Sequence, residues 1–236
     1  MLPRSLWRTI RSALLGAGLF VAGCGVSPQP EPPSIDISLL ELGEAEGGAL
    51  LTGSPGAVKP GGGTLTAIDL DDTSPASTVT VAADGSFTAP LTGTPQHVYR
   101  VQAARAALRS EPIDVTGVMG IIPGPATAVP GPLAACLTLD PAPEIGPLSP
   151  GESAVVTLVS TCPGTVTVGS LPLRLGSVAW SVAAPALPFV LPSGGTSSFT
   201  VTFDPSGGGA RDDILFVQIS TPEMGRRPLT LRGTPP

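Results

Sequence analysis

The sequence predicts an all-β protein, two β-sandwiches in tandem behind a leader, and three observations predict it. Short apolar segments alternate in and out with period two, as half-buried strands require. No stretch carries a helical stripe long enough to compete. Glycine (30) and proline (29) are abundant in 236 residues, yet hydrophobic residues at 42% can still fill cores, so many turns between short strands fit better than wholesale disorder.

Arg4, Arg8 and Arg11 stand without an acid ahead of an apolar run over 13–22, too short to span a bilayer comfortably, which reads as a signal peptide over residues 1–23. Arg8 and Arg11 are not adjacent, so a twin-arginine export signal is unsupported. The quartet Val21-Ala22-Gly23-Cys24 resembles the lipobox of bacterial lipoproteins. That resemblance implies diacylglycerol transfer to the Cys24 thiol, cleavage before it and acylation of the new amine, palmitate being among the expected chains. Two or three acyl chains hold a protein firmly where one alone anchors only marginally. Gly25 after the cysteine implies the outer membrane of a Gram-negative bacterium rather than the inner one. Residues 24–34, with Ser27-Pro28-Gln29-Pro30-Glu31-Pro32-Pro33, then form a lipidated, extended tether.

Removing residues 1–23 takes away three arginines and no acid, so the net charge moves from −6 to −9. With Lys59 the single lysine and no basic stripe, nucleic acid is not an expected partner. Once Cys24 is given to lipid, Cys136 and Cys162 are an even pair in an oxidising compartment, and a disulfide is the leading expectation. Closing that loop contributes about 3.5 kcal/mol in the chain-entropy model. Two buried free thiols are the alternative; two thiols without a neighbouring histidine do not fill a zinc shell.

The first sandwich is expected over 35–116. Its segments are 35–39, 49–52, 64–68, 78–81, 87–89, 97–101 and 112–115, with Asp84-Gly85 placed as the turn of a tight hairpin. Gly56-Ala57-Val58, Ala83-Asp84-Gly85-Ser86-Phe87, Val98-Tyr99-Arg100-Val101-Gln102-Ala103 and Ser110-Glu111-Pro112-Ile113-Asp114-Val115 resemble the bacterial Ig-like modules of surface proteins. The alanine-rich run 104–109 departs from that pattern and reads as a helical turn. Residues 117–132 lack either periodicity and are expected to be a Pro/Gly linker that joins no ladder.

The second sandwich is expected over 133–236, with segments 136–139, 154–159, 165–168, 178–182, 198–203, 214–219 and 229–231. Leu139-Asp140-Pro141, Pro150-Gly151-Glu152, Leu187-Pro188-Phe189-Val190-Leu191, Ser193-Gly194-Gly195, Phe199-Thr200-Val201-Thr202-Phe203-Asp204-Pro205 and Leu229-Thr230-Leu231-Arg232-Gly233 resemble the ASH and major-sperm-protein-like Ig modules of choice-of-anchor proteins. Such motifs speak to fold and hardly to function.

Few residues suggest chemistry. His97 is the one imidazole; Ser54, in Gly53-Ser54-Pro55-Gly56, lacks the second spacer of a nucleophile elbow and reads as a loop serine. Glu144 and Glu152 read as solvated strand-end acids, with no aromatic cleft implied for glycosidic work. Asp69, Asp71 and Asp72 offer hard oxygen ligands for calcium, without EF-hand spacing. Asp212 and Asp213 read as solvated turn acids. Trp180 is expected in the core, although an exposed position would make it a stacking platform. The expectation is a lipid-anchored envelope protein, not an enzyme and without a cofactor. Its role is structural or interactive, its partners being envelope proteins met through sandwich edges or loops; the alternative is calcium- or glycan-dependent adhesion.

Overall fold

Alternating burial sets the architecture. The computed structural model describes residues 30–120, 122–131 and 133–235; the leader, Cys24 and most of the tether lie outside them. The first eleven strands are β1 (Ser34–Ile35), β2 (Leu40–Ala45), β3 (Gly48–Gly53), β4 (Val58–Lys59), β5 (Thr64–Asp69), β6 (Ser77–Thr80), β7 (Phe87–Leu91), β8 (Tyr99–Arg105), β9 (Leu108–Arg109), β10 (Ile113–Gly117) and β11 (Gly124–Ala128). Strands β1 and β4 pair with each other, and the rest follow the order β6-β5-β8-β10-β11-β2-β3-β7, with β9 on β8. Leu42, Leu51, Leu65, Ala67, Tyr99 and Val101 are among the buried residues of their common core.

Nine further strands make the C-terminal half: β12 (Leu137–Asp140), β13 (Glu144–Leu148), β14 (Ser153–Ser160), β15 (Val166–Ser170), β16 (Trp180–Ala183), β17 (Phe189–Leu191), β18 (Thr196–Phe203), β19 (Asp212–Thr221) and β20 (Gly225–Gly233). They form a four-stranded sheet, β12-β14-β18-β16, and a five-stranded one, β13-β20-β19-β15-β17. Both sheets feed one core, Val156, Leu158 and Phe199 from the first and Val168, Leu215 and Leu231 from the second. At roughly 1.5–3 kcal/mol for each fully buried large apolar side chain, such cores drive assembly of the layers. Cys136 and Cys162 are joined in a disulfide, pinning the residue before β12 to the turn after β14.

The protein is therefore all-β, with two 3-10 turns and no α-helix among the described residues, and fits a sandwich-type class. No described helix is long and apolar enough to cross a membrane. Residues from Pro32 onward form one compact unit.

Four local expectations are corrected. The stretch 35–39 is not one strand: Asp36 accepts from the Ser38 amide and starts a 3-10 turn, so the chain leaves β1 and re-enters as β2. Asp84-Gly85 does not close a hairpin, because β6 pairs with β5 and β7 with β3, at opposite ends of the strand order. The turn carries the chain from one sheet to the other, and the Gly85 carbonyl accepts from the Val58 amide. The run 104–109 is no helical turn but the β8–β9 hairpin, in which Ala104 pairs with Arg109 and Ala106 takes φ 53°. Within the expected linker, β11 pairs with β10 through Ala126–Ala128 and with β2 through Gly124 and Pro125, joining two sheets. Pro125 meets β2 where it has no amide to donate, which is how a proline-containing stretch still joins a ladder end.

Candidate functional site

The polar groups that could do chemistry gather where the two halves meet. On β8 the alternation sends Tyr99, Val101 and Ala103 into the N-terminal core and turns Arg100 and Gln102 outward, yet all five are buried because the C-terminal half covers the outer face. Arg100 grips Asp114 with Nε and Nη2 at 2.8 and 2.9 Å, then reaches across to the Thr230 hydroxyl (3.0 Å) and the Pro228 carbonyl (3.0 Å). A planar guanidinium suits this, since its donors leave in fixed directions and its charge meets a carboxylate in two-point contact. Gln102 donates to Glu144 at 3.1 Å and accepts from Arg232, whose Nε stands 2.5 Å from Glu144.

Two more arginines cross the seam toward the loop after β5. Arg174 donates to the carbonyls of Asp69 (2.7 Å) and Ser74 (2.5 Å), and burial lowers its pKa against the opposing pull of Asp69, Asp213 and Asp72. Arg226 donates to Asp71 at 2.5 Å and lies 4.7 Å over the Phe216 ring. Beneath them Leu70, Ile214 and Phe216 form a small apolar cluster of their own, with Ile68 and Val98 against it.

Asp69, Asp71 and His97 bring their ligating atoms within 4.8 Å of one another, the one such group among the described residues. Asp69 is 4% exposed; it accepts from the Asp71 amide at 2.8 Å and lies 2.7 Å from His97 Nδ1. Asp71 accepts from the Val98 amide (2.7 Å) and from Arg226. Gly93 closes the group: a Cβ there would stand 2.1 Å from Asp69 Oδ2, 2.4 Å from His97 Nδ1 and 2.6 Å from the Tyr99 hydroxyl. Tyr99 donates to the Thr94 carbonyl at 2.8 Å, and burial, then the charges of Asp69 and Asp71, push its pKa up. Asp72 stays out, its oxygens taken by the Thr73 amide and the Ser74 hydroxyl. The three-aspartate calcium arrangement is thus not assembled: His97 takes the third place, and a guanidinium already occupies Asp71.

The other sequence candidates separate. Asp213 is buried, not a solvated turn acid, because it accepts from the amides of Leu175, Ser177 and Ile214; Asp212 is exposed. Glu144 belongs to the seam, where its pairing with Arg232 replaces the expected solvation, while Glu152 is exposed and accepts from the Ser149 amide at 2.8 Å. Trp180 is 4% exposed, donates to the Arg211 carbonyl at 3.0 Å and lies 4.8 Å from the Phe203 ring, so it is no stacking platform. Ser54 lines a shallow depression with Thr52, Thr80 and Thr88; no described serine or cysteine side chain bonds His97. The seam arginines escape a reading for chemistry because their partners across the seam lie a hundred residues or more away. The available signal was that β8 alternates Tyr99, Val101 and Ala103 with Arg100 and Gln102, and β20 alternates Leu229 and Leu231 with Thr230 and Arg232.

No family model and no curated protein matches the chain. Among the solved structures it is similar to is the crystal structure of a protein of unknown function from Porphyromonas gingivalis W83, matched over 87% of this chain and 100% of that one, at 11% identity and a TM-score of 0.33. A likeness that low carries neither fold nor function across.

Proposed function

We propose that the protein is a lipid-anchored component of a bacterial cell envelope that acts without catalysis, as a structural or interaction module held off the membrane by a proline-rich tether. The observation that carries this reading is the use of its thiols. The chain has three cysteines, and Cys136 and Cys162 bind each other, so the one left is Cys24, in the Val21-Ala22-Gly23-Cys24 quartet behind the arginine-bearing leader. An internal disulfide also suits an exported chain, since thiols stay reduced in most cytosols. The halves are read as Ig-like sandwiches, the C-terminal one of the ASH and major-sperm-protein-like kind, which its four- and five-stranded sheets around one core support. Such folds present edge strands and loops to protein partners.

The test is metabolic labelling of the full chain with an alkyne analogue of palmitate, followed by detergent phase partitioning. The wild-type chain is expected to carry label and enter the detergent phase, and Cys24→Ala to do neither. Wild-type protein recovered unlabelled from culture fluid would overturn the anchor. Crosslinking in intact envelopes should capture protein partners on the anchored form.

A further inference from the structure

Between the halves lies a cleft of about 570 Å³, inside the roughly 300–1,000 Å³ of small-molecule sites. Its floor is the outward face of β5, β6 and β8, presenting the threonines Thr64, Thr66 and Thr78; its far wall comes from the 174–175 turn and the strands β19 and β20. Deep inside, hydrogen-bonding capacity is spent: Arg100 is engaged at Nε, Nη1 and Nη2, Gln102 at both ends, and Asp213 by three amides.

Nearer the mouth it is not. Among the described residues that line it, Arg109 has no side-chain partner, Arg174 and Arg232 each keep Nη1 unengaged, and the Thr64 hydroxyl has none either, while Asp212 is the one unengaged acid of the lining. Free donors therefore outnumber free acceptors, and they are guanidiniums, which seek oxygen anions in two-point contact. The volume is too large for a bare inorganic anion to fill. No aromatic residue lines it, so a neutral sugar has no ring to stack on. Hydroxyls beside guanidiniums suit a molecule that carries carboxylates and hydroxyls on one frame.

We propose that this cleft binds a short acidic oligosaccharide of the uronate type, with carboxylates held by Arg109 and Arg174 and ring hydroxyls by Thr64, Thr66 and Thr78. Asp212 at the rim accepts from a further sugar hydroxyl. In a chain of net charge −6, the arginines gathered here are what makes an anionic ligand acceptable at this place and not elsewhere. The site does not depend on the anchored reading, because none of its residues lies in the leader or tether.

The test is calorimetric titration of the detergent-solubilised full chain with trigalacturonate at low ionic strength. Saturable one-to-one binding is expected, weakened at least about tenfold by Arg109→Gln, the loss of a charge-assisted contact. Arg109 is exposed and bonded to nothing by its side chain, so that variant keeps the fold; Arg105→Gln, outside the cleft, should bind as the wild type does, and neutral maltotriose should not bind. The proposal is overturned by absence of saturation, by equal binding to Arg109→Gln, by an equal loss in Arg105→Gln, or by tricarballylate competing as well as trigalacturonate, which would mark a bare carboxylate site.

Discussion

Gly93 shows how much can rest on one hydrogen atom. Its backbone closes a polar cluster in which Asp69, His97 and Tyr99 all point toward the place a side chain would occupy. Gly93→Ala should therefore destabilise the protein by about 1–3 kcal/mol, the usual cost of forcing atoms into a filled site, read as a fall in the urea midpoint with an unchanged slope; a wild-type midpoint would refute the packing. The aspartates that begin turns act locally too. Asp36, Asp72, Asp84 and Asp204 each have a pKa held below the ordinary 3.8, chiefly by serine hydroxyls and by amides one or two residues on. A carboxyl with a depressed folded pKa binds its proton later in the folded state than in the unfolded one, so its contribution is complete above 3.8 and is lost as pH falls through the folded value. Thermal midpoints should thus drop between pH 4 and pH 2, and Asp84→Asn, which can still accept but cannot titrate, should make the drop shallower. A flat acid limb in the wild type would contradict this.

At the scale of elements, the β8–β9 hairpin offers the sharpest case. Ala106 adopts φ 53°, where a Cβ crowds the following carbonyl and glycine does not. Ala106→Gly should raise stability by about 0.5–1 kcal/mol in chemical denaturation, while the same change at Ala104, inside β8, should lower it. This hairpin also shows what the sequence concealed. Alanine is a good helix former, so 104–109 read as a helical turn, but pairing of Ala104 with Arg109 outweighs that local preference. Strands with a clean period of two, such as β3, β5, β14 and β18, were legible because one face is buried and the other is not. β2 was missed because its burial does not alternate, β13 because its partner β20 runs parallel and lies some eighty residues on, and β11 because prolines and glycines hid it. At the candidate site, Asp69 and Asp71 could be read from their spacing, whereas His97 and Arg226 join them only through the fold.

For the whole molecule the question is whether two cores make one folding unit. Arg100 links them by an ion pair on its own side and two hydrogen bonds across, almost out of water. Removing one partner of a buried pair leaves the other charge stranded, so Arg100→Ala should cost about 3 kcal/mol. The halves should unfold in a single transition in the wild type and in two in this variant, as followed by calorimetry. Two transitions in the wild type would mean that the seam contributes no coupling, and one transition in both would mean that Arg100 does not carry it.

The strands β8 and β20 each serve two masters: one row of side chains belongs to its own interior, the interleaved row to the neighbour. Shortening or lengthening either strand by a single residue would exchange the rows, placing guanidinium among leucines and leucine against carboxylate in the same stroke. Neither portion can therefore be lifted out as a spare part without baring charged groups whose company it would leave behind.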